Sequence, residues 1–484
     1  MTVTWGNITA GELILPIRGK HVSGPMKKVF TGLTTDSRKI LPGQVFLALK
    51  GDRYDGHDFI DTALKKGAAG IITESKYTAQ GTEDVAIIAV ADTLRALGDL
   101  AGWWRHQYNT QVAVITGSAG KTTTKEMAAE ILELGAGTLK NPGNLNNLIG
   151  LPLTLLDLEQ GHRRAVLEMG MNRPGEIARL TEIADPDIGL ITNVAKAHLE
   201  GLGDITGVAE AKAELIEKIS STGMVVLNGD DKLLMETASR FNRTITTYGF
   251  GKENHIRAEI ITDMGHKGIS FDLVYKGTSA SACIRVPGKQ NLYNALAASA
   301  IAMCMEEPLD NIIKGLENFK GIKGRFMINV LSGDIIMIDD TYNSNPFSLR
   351  ASLESAKVLA AENRRMIVCL GEMLELGKET VPAHYEAGAM VAESEASHFF
   401  ALGDHAEEMI KGALGKGYSP KNAAIVKSRK EMELKIKDTL KEGDLILLKG
   451  SRMMELDKVA DGLRENQAKE EGYVQAKKNY DSRR

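Results

Sequence analysis

The sequence predicts an α/β protein of three domains: a small N-terminal α/β domain, a central P-loop domain on a parallel sheet with appended antiparallel strands, and a C-terminal Rossmann-like open sheet. Three observations predict it. The chain has 484 residues, and at about 150 residues per domain that length implies about three domains. Short apolar strands alternate with helical stretches from about residue 110 onward, the pattern of a parallel sheet with right-handed crossovers. One of those strands, VAVIT, runs directly into GSAGKTTT and then into a helical segment, which is the context a phosphate site requires.

The first domain is drawn over 1–109. Apolar strands such as QVFLALK and AAGIITE alternate there with glycine-rich turns such as KGDRYDGHDF. The stretch DTLRALGDLAGWWRHQY carries apolar residues at helical spacing and closes the domain before a fresh strand at Gln111. The central domain is drawn over 110–324. It strings together VAVIT, a helix from Lys121, RAVLEMG, a helix after Pro174, DIGLITNV, a helix through AKAELIEKI, and MVVLNGDD. Between Ile256 and Val286 polar and apolar residues alternate around glycine turns, which predicts antiparallel strands. The helix NLYNALAASAIAMCM follows. The third domain, 325–484, carries the strands IIMIDD, RMIVCLG, HFFALG, AAIVKS and DLILLKG with helices between them. From about 466 the chain is polar without an apolar period, and a frayed tail is expected.

Composition narrows the function. Hydrophobic residues make up 43% and charged residues 25%, ordinary for a soluble globular protein. Lys and Arg number 59 against 63 Asp and Glu, a net charge of -4 with both signs interspersed, so no nucleic-acid partner is expected. Cys283, Cys304 and Cys369 show no paired spacing for zinc or a disulfide framework and read as reduced thiols. The N-terminus lacks the basic start and apolar core of a secretion signal, and no run approaches the roughly 18 apolar residues of a membrane span. A cytoplasmic protein without a membrane span is expected.

The loop itself departs from the long P-loop pattern, since Ile115 stands where the first glycine would be. Gly117 and Gly120 can still turn backbone N–H groups inward, with Ser118 and Ala119 between them. Lys121 adds a cation, and the following helix contributes the partial positive charge of its N-terminus. The Thr122 hydroxyl is placed for Mg²⁺, and Thr123 continues the turn. The plainer alternative is a glycine turn capped by threonine. Glu168, closing RAVLEMG, can hold a metal or be an exposed strand-end carboxylate. His198 follows DIGLITNV at the carboxyl end of a strand, where open α/β sheets place ligands, or it is structural. Lys212, in the helical EAKAEL, is by default a solvated lysine.

Taken together, TTDSRKILPGQVFLALKGDRYDGHDF, TGSAGKTTTKEM, NPGNLNNLIGLPLTLL, EMGMNRPGEI, TNVAKAHLEGLG, VAEAKAEL, GKQNLYNALAA, GIKGRF, DDTYNSNP and LKGSRMMELDKV resemble the Mur ligase family over nearly the whole chain. That family's loop has the short form G-x-x-G-K-T, so Ile115 is no departure from it. The resemblance implies that Lys121 contacts the γ-phosphate of ATP, and that Thr122 and Glu168 hold a first Mg²⁺. Glu168, His198 and Lys212 would serve a second, with Lys212 carbamylated. It implies that Asn291 and Asn294 lie by the adenine, that Arg325 and Asp340 reach the ribose and phosphates, and that Tyr342 stacks on the base. Without the resemblance, Asn291 reads as a helix cap and Asp340 as a turn residue.

The resemblance further implies a UDP-sugar site in the first domain. Thr35, Ser37 and Arg38 would lie near the diphosphate, and Asp55, Gly56, His57 and Asp58 would form part of the same wall. An arginine fork suits a diphosphate. Asn144, Asn147 and Asn172 would touch the sugar peptide, and Asn343 and Asn345 the incoming dipeptide. The DDTYNSNP and GEMLELG stretches point to the branch that joins D-Ala-D-Ala to UDP-N-acetylmuramoyl-tripeptide, acting as a monomer through an acyl phosphate, with domain closure about linkers near 110 and 325. The alternatives are another amide ligase of the superfamily, adding the third amino acid or acting as a folate polyglutamate synthase, and an ATP-binding switch without amide chemistry.

Overall fold

The computed structural model describes residues 2–51, 54–74, 83–361 and 364–465. The expected tail from about 466 lies outside them. Three mixed or parallel sheets succeed one another along the chain.

The first sheet has six strands in the order Thr2–Thr9, Val29–Thr34, Val45–Leu47, Gly70–Glu74, Ala86–Val90, Lys20–Ser23. The inner pairs are parallel, and the strands Thr2–Thr9 and Lys20–Ser23 flank them antiparallel. These two outer strands were not legible as strands, because TVTWGNIT and KHVS mix polar and apolar residues and lie at the edges. The helix Thr93–Arg105 is capped by Asp92, whose side chain accepts from Arg95 N. Its Trp104 is buried and donates Nε1 to Leu158 O at 3.2 Å, while Arg105 Nε donates to Ala184 O at 3.1 Å. One continuous apolar core therefore runs from Trp5, Ile8 and Leu33 through Leu97 and Trp104 to Val112, Leu151, Leu155 and Leu180. A fully buried side chain of this size contributes about 1.5–3 kcal/mol, so this joint is strongly held.

The central sheet has nine strands in the order Thr278–Ile284, Ile269–Tyr275, Ile256–Asp263, Ile245–Gly249, Met224–Asn228, Ile188–Ile191, Gln111–Thr116, Arg164–Glu168, Thr138–Lys140. Ile256–Asp263 pairs parallel with Ile245–Gly249 and antiparallel with Ile269–Tyr275, so it forms the junction between the parallel sheet and the predicted appended strands. Register matters for function: Ile115 lies opposite Glu168, and Thr116 opposite Ile191. The phosphate loop, Glu168 and the segment after Ile191 consequently emerge side by side at the carboxyl edge. The helix Lys289–Cys304 is buried on nearly every side, packed against Lys121–Glu133, which explains its run of small alanines.

The third sheet runs Met327–Leu331, Ile335–Asp340, Leu445–Lys449, Met366–Leu370, His398–Leu402, Ala423–Val426, with only the first strand antiparallel. Its two apolar cores contain only residues from Phe326 onward. This lobe meets the central one mainly through polar contacts, among them Ser355 Oγ to Gln290 Oε1 at 2.8 Å.

Candidate nucleotide and metal site

The loop after Gln111–Thr116 packs against the segment that follows Ile191. Ser118 N donates to Asn193 O at 3.1 Å, Ala119 N to Asn193 Oδ1 at 3.0 Å, and Ser118 Oγ to Ala195 O at 2.9 Å. Both glycines are obligatory for this fit. Gly117 has φ +147°, and a Cβ there would overlap Thr192 Oγ1; Gly120 has φ +85°, and a Cβ would overlap Asn294 Oδ1. Gly120 then starts the helix Lys121–Glu133, whose first N–H groups have no intrahelical acceptor and face outward for an anion. Lys121 folds back with Nζ on Gly117 O at 2.8 Å. Burial pushes its ammonium pKa down, opposed by the nearby Glu168 and Glu375 carboxylates.

Thr122 Oγ1 donates to Glu168 Oε2 at 2.8 Å, and Asn146 Nδ2 donates to Oε1 at 2.8 Å. The Glu168 backbone is clamped as well: its N–H donates to Asn141 Oδ1 at 2.8 Å, and Asn141 Nδ2 donates to its carbonyl at 3.1 Å. Asn141 is in turn held by Lys125, fully buried, whose Nζ donates to Asn141 O at 2.6 Å. Glu168 is 2% exposed, so it is no solvated strand-end carboxylate.

His198 takes the left-handed conformation, φ +55°, at the head of a short helix, with Nδ1 2.7 Å from Glu375 Oε2 of the last lobe. Lys212 corrects the default reading. Asp204 caps the helix Ile205–Lys218 by accepting from Gly207 N, and that helix carries Lys212 to a site where it is 1% exposed. No described residue pairs with its ammonium. Burial, reinforced by the Lys121 cation, drives its pKa well below the usual lysine value.

Arg325 closes the site from the junction with the last lobe. Its Nη2 donates to Thr122 Oγ1 at 3.1 Å and its guanidinium stacks 3.9 Å from the Tyr342 ring centroid. Tyr342 thus already carries a cation on its ring. Asp340 is the hub of a buried network: it accepts from Phe326 N at 3.1 Å, Ser352 Oγ at 2.6 Å and Lys449 Nζ at 2.6 Å. Asn291 and Asn294 are buried inside their helix, Asn291 donating to Pro287 O at 2.8 Å and Asn294 to Asn291 Oδ1 at 3.3 Å. Asn291 is therefore not a helix cap; Gly288 occupies that position.

In the first lobe Arg38 forms a two-pronged pair with Asp36, at 2.9 Å on each prong, and this holds the Asp36 pKa down at about 2. Ser37 is buried beside it and Thr35 half-buried. His57 sits with Nδ1 2.5 Å from Asp55 Oδ1, while Nε2 accepts from Glu74 N at 3.0 Å, so both ring nitrogens are engaged within the lobe. Gly56 abuts the Leu49 backbone, and Asp58 is exposed. Asn144, Asn147, Asn172 and Asn343 are exposed, whereas Asn345 spends its side-chain oxygen on Ser348 N as a helix cap.

The four asparagines of NPGNLNN were visible in the sequence, but which of them turn toward Glu168 was not. Asn141 and Asn146 do so, whereas Asn144 is exposed and Asn147 turns its Oδ1 to Ile149 N at 3.1 Å and Gly150 N at 2.9 Å. Asn193, Lys125 and Glu375 also escaped notice, each lying in an otherwise ordinary polar stretch. Among the described residues, no three or more His, Cys, Asp and Glu side chains gather in a way that could hold a metal ion alone. A cation here would take the Glu168 carboxylate and the Thr122 hydroxyl together with oxygens of a bound phosphate, hard oxygen donors of the kind Mg²⁺ prefers, while the His198 imidazole is a softer nitrogen donor.

Comparison with known proteins covers all three lobes. Residues 29–105 match the Mur ligase family catalytic domain, 115–302 the Mur ligase middle domain, and 324–452 the Mur ligase glutamate ligase domain. The chain is 35% identical over 438 residues to the UDP-N-acetylmuramoyl-tripeptide--D-alanyl-D-alanine ligase of Bacillus subtilis (strain 168), covering 90% of this chain and 94% of that one. A crystal structure of MurF from Acinetobacter baumannii superposes with TM-score 0.85 at 31% identity, covering 96% of this chain and 100% of that one. MurF ligase from Thermotoga maritima in complex with ADP superposes with TM-score 0.80 at 28% identity, covering 90% and 98%.

Proposed function

This chain belongs to the Mur ligase family, and from that membership we infer that it is the ATP-dependent ligase joining D-Ala-D-Ala to UDP-N-acetylmuramoyl-tripeptide in peptidoglycan precursor synthesis. The observation that carries the reading is the meeting of Lys121, Thr122, Glu168 and Arg325 at one point, fed by two lobes.

A peptide carboxylate is a poor acyl electrophile, because its charge repels nucleophiles and its leaving group would be oxide. Transfer of the γ-phosphoryl group of ATP to a carboxylate oxygen forms an acyl phosphate and releases ADP. The amine of D-Ala-D-Ala then forms the C–N bond as the C–O bond to phosphate breaks, and the amine proton passes to solvent. Lys121 and Arg325 supply positive charge to the transferring oxygens, and this positioning and electrostatic work needs no protein nucleophile. Lys121 would leave the Gly117 carbonyl for the γ-phosphate.

The residues that would hold Mg²⁺ are Thr122 and Glu168, with His198 and Lys212 at a second position; bound there, the cation would neutralise phosphate charge. Lys212 suits this role only as an anion. Its neutral amine, favoured by burial beside Lys121, can add CO₂, forming an N–C bond and losing a proton to give a carbamate oxygen ligand. Asn291 and Asn294 are assigned to the adenine side, and Tyr342 and Asp340 to its far wall and ribose. Arg38, with Thr35, Ser37 and the Asp55–Asp58 turn, is assigned to the uridine diphosphate. Asn144, Asn147 and Asn172 are assigned to the sugar peptide and Asn343 to the dipeptide, with Asn345 shaping that loop.

This reading carries with it a monomer acting in the cytoplasm, where ATP and a UDP-sugar are available. No helix among the described residues is long and apolar enough to cross a membrane. The test is Lys121→Ala assayed for ADP release with UDP-N-acetylmuramoyl-tripeptide, with and without D-Ala-D-Ala. Loss of amide formation is expected; full activity would overturn the assignment.

A further inference from the structure

The stretch GEMLELG, 371–377, belongs to the last lobe but reaches across to the central one. Glu200 N donates to Glu375 O at 3.3 Å, Lys196 lies 3.8 Å from Glu379, and Gly377 comes so near that a Cβ would stand 3.3 Å from Glu200 Cα. At the centre of this seam Glu375 Oε2 is 2.7 Å from His198 Nδ1, with the N–H off the line to the oxygen. That nitrogen is buried and no other described group satisfies it. The Nε2 of the same ring has no partner among the described residues. Both residues hold left-handed backbone, φ +55° at His198 and φ +64° at Glu375, a conformation kept only where the surroundings dictate it.

We propose that Glu375 is a positioning residue for the metal site: its carboxylate accepts a hydrogen bond from Nδ1–H of His198 and thereby turns Nε2 toward the cation. The proposal rests on the reading of His198 as a metal ligand given above. Histidines that bind metals commonly donate their other ring N–H to a carboxylate, which fixes the tautomer and the ring orientation. Here that carboxylate is lent by a different lobe. The cation site is therefore complete only while the last lobe is seated, and phosphoryl transfer is tied to the presence of the lobe assigned to the incoming amine.

The experiment is calorimetric titration of Mg²⁺ into the full chain with a non-hydrolysable β,γ-methylene analogue of ATP. Glu375→Ala should weaken Mg²⁺ binding about 10- to 100-fold. Glu375→Gln should weaken it less, because its amide oxygen can still accept a hydrogen bond from Nδ1–H. The Glu375 side chain is 53% exposed, so melting temperatures should stay close to wild type. Equal Mg²⁺ affinity in all three proteins, with His198→Ala weakened, would overturn the proposal and leave the site reading intact. Unchanged affinity in His198→Ala would overturn both.

Discussion

The hydroxyl of Thr122 donates to Oε2 of Glu168 at 2.8 Å, although 46 residues of chain separate them. Two neighbouring strands, with Ile115 opposite Glu168, produce this contact before any ligand arrives. The oxygens are thus pre-set to share a cation. Thr122→Val keeps the shape and removes the oxygen, and ADP release should fall about 10²–10³-fold, the scale of losing one electrostatic contact to the transferring group. Thr122→Ser should retain most of the rate. A Thr122→Val enzyme as fast as wild type in a coupled ADP assay would contradict the assignment.

Lys212 supplies a second expectation. Its amine is buried with no counter-ion among the described residues and lies near another lysine, so an ammonium is disfavoured there. Lys212→Ala should lose nearly all activity, and short-chain carboxylates added to the medium should restore part of it by standing in for the carbamate. Mass spectrometry of the wild type in bicarbonate should show the added mass of one CO₂ on this residue. An alanine variant with undiminished turnover would exclude the carbamate.

The glycines of the loop make a third. A methyl group on Gly117 would overlap Thr192 Oγ1, and its φ of +147° is one that side-chain-bearing residues rarely adopt. Gly117→Ala should introduce about 1–3 kcal/mol of strain, lower the melting temperature by several degrees, and abolish the upward shift that ATP is expected to give the wild type. A variant that ATP still stabilises to the same extent would show that the loop does not cradle phosphate as described.

How much of this was legible beforehand depended on chemistry that local sequence can carry. The fully buried strands of the central and last sheets announced themselves as apolar runs, IIMIDD and DLILLKG among them. The outer strands Thr2–Thr9 and Lys20–Ser23 did not, because an edge strand is specified by its partner more than by its own side chains. Glycines 117 and 120 were readable because only a tight backbone approach demands glycine so near a lysine. Lys212 was singled out only by the family resemblance, since on its own a lysine in EAKAEL looks solvated until the neighbouring helices are in place. The hydrogen bonds of Asn141 and Asn146 to Glu168, and the reach of Glu375 to His198, depend on loop paths and lobe placement that no residue spacing encodes.

The apolar core that begins at Trp5 and continues without a break to Leu180 is shared by the first two lobes. The third lobe shares none of that interior. We expect flexing near residue 325 more than near 110, because only the 110 joint is bridged by a shared apolar core. On that expectation ATP and the sugar nucleotide would meet on a shared platform, and the lobe assigned to the dipeptide would swing in as the moving arm.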